Sequence, residues 1–82
     1  MTYQERRKEL LNLLFQKYSS LNLTREQTAE SIGTSTATLD RIRKSGLGPK
    51  YFKDGKSSKN GMVRYPIDAV VDYILSTQVQ TA

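Results

Sequence analysis

Apolar residues recur at three- and four-residue steps near the start of the chain. Tyr3, Leu10, Leu11, Leu14, Phe15 and Tyr18 fall on one stripe, which predicts a first helix over residues 3–19. Leu13 lies off the centre of that stripe, and reads as an exposed leucine, as one packed by the C-terminal helix, or as a contact with a second subunit. The link SLNL then leads to Thr24, whose hydroxyl can accept from the Gln27 amide while Gln27 reaches back, a reciprocal capping box. A second helix follows from Arg25 to about Ile32, with Ala29 and Ile32 on its inner face. Gly33 can take the positive φ of a sharp exit, and Ser35 can cap a third helix from Thr36 to about Lys44.

The third helix is polar on one side. Leu39 and Ile42 point inward, and stepping about 100° per residue places Ala37, Asp40, Arg41 and Lys44 opposite them. Beyond SGLGP, the stretches KYFK and MVRY read as two strands joined by the turn-forming, lysine-rich DGKSSKNG, a wing over residues 50–65. Tyr51, Phe52 and Tyr65 read as core or hairpin packing rather than as stacking platforms. Pro66 suits a first helical turn and Asp68 a cap, so a last helix is expected over residues 67–76, with Ile67, Val70, Val71 and Ile74 inward and Asp72 and Tyr73 outward or at an edge. The final TQVQTA carries no periodicity and is expected to fray. The expected class is mainly α with a small β-hairpin: a single winged helix-turn-helix domain over residues 1–82, its helix-turn-helix in residues 24–44, with an extra N-terminal helix.

Charge sharpens this picture. From Arg41 to Arg64, eight basic residues (Arg41, Arg43, Lys44, Lys50, Lys53, Lys56, Lys59 and Arg64) face Asp54 alone, a net +7. The preceding residues are balanced, five basic against five acidic, and those after Arg64 carry only Asp68 and Asp72. One localised basic surface is the footprint of a polyanion partner. Arg6, Arg7 and Lys8 sit among Glu5 and Glu9 and read as mostly solvated. The residues expected to meet double-stranded DNA are therefore Ser35, Thr36, Ala37, Asp40, Arg41, Arg43 and Lys44 on the third helix and Lys53, Lys56, Lys59 and Arg64 on the wing. Arg41 is the base reader, because a guanidinium matches the two acceptors of guanine in the major groove. Ser35 and Thr36 bring hydroxyls and free amides to a phosphate or base edge. Asp40 is tolerable beside phosphate if it accepts from cytosine or orients Arg41 or Lys44, and orientation of a basic neighbour is the preferred reading.

Chain length and composition argue against catalysis. Eighty-two residues suit one domain with little room for an internal cavity. Without cysteine or histidine there are no disulfides, thiolates, imidazole bases or usual zinc ligands. The carboxylates are dispersed, and no glycine-rich phosphate loop occurs. No enzymatic activity, metal or cofactor is expected. No secretory signal or membrane span is evident either, and the cysteine-free composition fits a cytoplasmic protein.

The segments LTREQTAESIGTSTATL, RIRKSGLGP and MVRYPIDAVVDYI together resemble the small winged helix-turn-helix proteins of the excisionase and AlpA-type regulator group, distant relatives of the MerR DNA-binding domain. The resemblance spans residues 23–75 and rests on Ala29, on Gly33 four residues later, and on Leu39 and Ile42. Thr28, where such motifs often have an apolar residue, and Asp40 depart from the pattern. The resemblance implies DNA binding through helix three and the wing. It also implies a role in phage or plasmid gene control or in excision, alongside a protein partner such as an integrase or RNA polymerase. One copy contacts few base pairs, so a homodimer or side-by-side copies on DNA are expected. The alternative is an interaction adaptor or antitoxin-like module that docks a partner through the N-terminal helix.

Overall fold

Each of the first three helices begins at a hydroxyl residue that satisfies its free amides. The computed structural model describes residues 2–54 and 62–78, ordered α1 (Tyr3–Tyr18), β1 (Asn22–Thr24), α2 (Arg25–Ile32), α3 (Thr36–Lys44), β2 (Phe52–Asp54), β3 (Met62–Pro66) and α4 (Ile67–Gln78). Thr2 caps α1 by accepting from the Glu5 amide, and Thr24 caps α2 by accepting from that of Gln27. In both, the Glu or Gln side chain bonds back to the cap amide, completing a capping box. Ser35 caps α3 by accepting from Thr38 N–H at 3.1 Å. The described residues are mainly helical, with one small antiparallel sheet.

The expected hairpin is one part of that sheet. β3 pairs with β2 on one side and β1 on the other, giving the order β1-β3-β2. Residues 22–24, read from sequence as part of a link, become a strand because Leu23 stands opposite Tyr65 across the ladder and both side chains are fully buried. The Ile67 amide donates to Leu21 O at 2.9 Å and carries the pairing to the start of α4. Pro66 thus closes β3 rather than opening the helix, where its missing N–H costs nothing to α4.

One core joins these elements. Leu23, Ala29, Leu39, Val63, Tyr65, Ile67 and Val70 form it, and each large apolar side chain buried there stabilises the fold by about 1.5–3 kcal/mol. Thr28 is buried with them at 0% exposure, so the unusual polar residue of α2 faces inward. α1 contributes no fully buried residue. Leu11, Leu14 and Tyr18 pack on the core from outside, whereas Tyr3, Leu13 and Phe15 remain exposed. The stripe read from sequence is thus wider than the face α1 buries, because only a narrow strip meets the rest of the molecule. Polar links complete the attachment. Arg7 pairs with Asp72 of α4 at 2.8 Å, which corrects its reading as mainly solvated. Tyr18 donates to Glu30 of α2, which lowers the Glu30 pKa below the usual carboxylate range, aided by Lys17.

Gly33 ends α2 and Gly46, with φ 85°, ends α3, while Gly48 in the loop beyond packs back on α3. Gly33 has φ 79°, with its amide bonded to Glu30 O and the Thr34 amide to Ala29 O, so α2 ends in a Schellman arrangement. Gly48 has φ 93°, and a Cβ there would lie 2.8 Å from Ile42 Cγ2. Ile42 is β-branched and stiff, so it cannot yield cheaply. Gly33→Ala, which meets only open space, should cost about 1–2 kcal/mol from backbone strain alone. Gly48→Ala should cost more, about 2–3 kcal/mol. Urea unfolding of both variants checks this, and equal losses would show that the Ile42 contact relaxes.

Candidate nucleic-acid interface

Leu39 is fully buried beneath α3, which turns the opposite face of the helix outward. Ala37, Arg41 and Lys44 are exposed there, and neither Arg41 nor Lys44 makes an ion pair among the described residues. At the N-terminus, Ser35 is exposed and Thr36 half-buried. The Ser35 hydroxyl is engaged, accepting from the Thr38 amide and donating to Thr38 Oγ1 at 3.0 Å. That leaves the first-turn amides of Thr36 and Ala37 and the Thr36 hydroxyl as donors this end can offer.

Asp40 and Arg43 require correction. Asp40 was read as part of the polar outer face and Arg43 as a further DNA contact, yet Arg43 Nη1 lies 2.6 Å from Asp40 Oδ1 and their side chains are only 14% and 25% exposed. Asp40 also faces Arg25 Nε of α2 at 3.4 Å. It therefore orients a basic neighbour as expected, but the neighbours are Arg43 and Arg25 rather than Arg41 and Lys44. The guanidinium of Arg43 stands 5.8 Å over the Tyr51 ring, and Tyr51 in turn tilts against Tyr65 at 6.1 Å. The buried Tyr65 hydroxyl lies close enough to raise the Arg43 pKa more than Asp40 does, while desolvation opposes both, although it makes no hydrogen bond of ordinary geometry. Arg43 thus ties α3 to the sheet. Removing Asp40 from the outer face also takes away the one carboxylate that would repel a phosphate there.

The remaining basic residues divide by position. Lys50 and Lys53 are exposed, and Arg64 is half-buried in mid-sheet. Lys56 and Lys59 lie outside the described residues, as do the turn that carries them and the last four residues of the chain. The arrangement brings Arg41, Lys44 and the α3 amides together on one helix face. It does not gather Asp40 or Arg43 with them.

Sequence reasoning missed Arg25 and misplaced one aromatic. Arg25 meets Asp40 across a helix junction, and no local pattern signals a pair between separate helices. Tyr51, though 44% exposed, packs against Tyr65 and Arg43, whereas Phe52, also expected as packing, is 40% exposed. The reason is that Phe52 stands in register with Arg64 on the face of the sheet turned away from Val63 and Tyr65. No helix among the described residues is long and apolar enough to cross a membrane. No protein-family model matches the chain, and neither a curated protein nor a solved structure matches it.

Proposed function

We propose that the protein is a sequence-specific double-stranded DNA binder of the winged helix-turn-helix kind, with α2 and α3 as the helix pair and the β2–β3 segment as the wing. It would serve as a small transcriptional regulator or excision factor. The observation that carries this reading is the segregation of charge on α3. Arg41 and Lys44 stand exposed and without an ion pair among the described residues, while the only carboxylate of the helix is drawn inward by Arg43 and Arg25. A surface organised for solubility alone has no need to sequester that carboxylate. Arg41 would enter the major groove and read guanine, the α3 amides would fix a phosphate, and Lys53 and Arg64 would lie along the backbone. Two copies, as a dimer or side by side, supply the contact area that one helix lacks.

Selection of bound duplexes from a random DNA pool at physiological salt tests the proposal, since weak non-specific electrostatic binding is suppressed there. A recovered motif, repeated at a fixed spacing, is the expected result. Absence of enrichment would overturn it and favour the interaction-module alternative. That alternative has its own observation: an open groove of about 570 Å³ between α1 and the start of α4, lined by Leu11, Phe15, Leu21 and Ile67.

A further inference from the structure

The face of the sheet turned away from the core carries a second feature. The register places Thr24 opposite Arg64 on β3, and Arg64 opposite Phe52 on β2, so these three residues form one row across the sheet. Their neighbours Leu23, Val63 and Tyr65 point the other way into the core. Together with Ser20, Asn22 and Gln27, the row lines a cleft of about 390 Å³, within the size range of small-ligand sites.

The chemistry of this cleft is specific. Arg64 is half-buried yet makes no ion pair or side-chain hydrogen bond to the described residues. Among the described residues, no carboxylate lines the cleft. Phe52, 40% exposed, offers an aromatic ring beside the guanidinium. The Gln27 carbonyl oxygen is spent on the Thr24 amide at 3.1 Å, which leaves its NH2 group to donate, and the Asn22 side chain makes no hydrogen bond to the described residues. A positive group, a ring and free amide groups in one concavity fit a planar, acceptor-rich, anionic ligand. The surrounding net +7 segment adds attraction for a polyanion.

We infer that this sheet face binds an unpaired nucleotide of a nucleic acid strand, its base stacked on Phe52, its phosphate or acceptor edge held by Arg64, and its polar edge met by Asn22 and Gln27. In an intact duplex both faces of every base are covered by neighbours, so stacking on Phe52 needs an unpaired one. Base stacking on an aromatic side chain tolerates any sequence, because every base has a π-face. Arg64 is the one cleft residue also assigned to the duplex backbone, and the other lining residues and Arg41 belong to one assignment each, so variants at Phe52 and Arg41 distinguish failure of one from failure of the other.

The test is fluorescence anisotropy at physiological salt with a labelled mixed-sequence DNA single strand of about 12 nucleotides and the same strand in a perfect duplex. Wild-type protein should bind the single strand. Phe52→Ala should weaken that binding roughly 5- to 150-fold while leaving duplex affinity unchanged. Phe52→Trp should retain single-strand binding, and its emission should be quenched by the oligonucleotide. Arg41→Ala should leave single-strand binding unchanged. Failure of the wild-type protein to bind the strand, equal losses on both forms for Phe52→Ala, or no quenching of Phe52→Trp would overturn the inference. Displacement of the strand by an equal nucleotide concentration of nucleoside monophosphates would overturn the strand as occupant and identify a free nucleotide instead.

Discussion

Arg41→Ala is expected to weaken binding to a selected duplex by about 1–3 kcal/mol, or roughly 5- to 150-fold, and to leave non-specific duplex binding nearly unchanged. The size follows from the chemistry of a bidentate guanidinium on guanine, which loses two hydrogen bonds together when the side chain is cut back. The selectivity follows from position. Arg41 is exposed in the middle of α3, where it has no partner among the described residues, so the folded state loses little without it. Arg43→Ala is the natural contrast, because Arg43 holds Asp40 and covers Tyr51 and its loss should lower stability first. Titrations against the selected site and a scrambled duplex, with thermal unfolding of both variants, separate the two roles. Equal loss on specific and scrambled DNA would reduce Arg41 to a phosphate contact.

The second large effect concerns the sheet. Tyr65→Ala should cost about 3–5 kcal/mol, the range for removing a large aromatic from a packed interior. Tyr65 is fully buried, pairs with Leu23 across the ladder and leans on Tyr51, so its ring joins β1, β3 and the base of β2. Domains of this kind are stable by about 5–15 kcal/mol, so much of the folding free energy goes with that one ring. Tyr65→Phe should behave differently. The hydroxyl is buried without a hydrogen bond of ordinary geometry, so its removal relieves a desolvated polar group even as Arg43 loses a neighbour. These opposed terms should leave stability within about 1 kcal/mol of the parent. Urea unfolding monitored by far-ultraviolet circular dichroism decides the matter. A Phe variant as unstable as the Ala variant would show that the hydroxyl, not the ring, is what the core depends on.

These predictions also bear on α1. Its exposed Leu13 and Phe15 sit on a helix held by a narrow apolar strip and by polar links at Arg7–Asp72 and Tyr18–Glu30. The helix is long relative to the surface it covers, and the groove beside it remains open. An outcome in which duplex selection fails would therefore direct attention here first.

How much was legible before folding depends on the range of the interactions involved. The helices, their caps at Thr24 and Ser35, the turn at Gly33, the buried Leu39 and the exposed Arg41 and Lys44 are all set within about one or two helical turns of sequence. Capping and periodicity are local effects, so sequence by itself determined them. Tertiary structure alone decided what distant residues do to one another. β1 exists because β3 comes to lie beside Leu23, and three residues are too few to show an alternating pattern. Asp40 turns inward because Arg25, on another helix, and Arg43 converge on its carboxylate, and charge attraction across a helix junction leaves no mark in a helical wheel. Phe52 stands open because the register places it beside Arg64 on the sheet face turned away from the core, and register is a property of the assembled sheet. Local hydrogen bonding and hydrophobic period thus write the elements into the chain, whereas the pairing of charges and the exposure of strand residues depend on which surfaces meet.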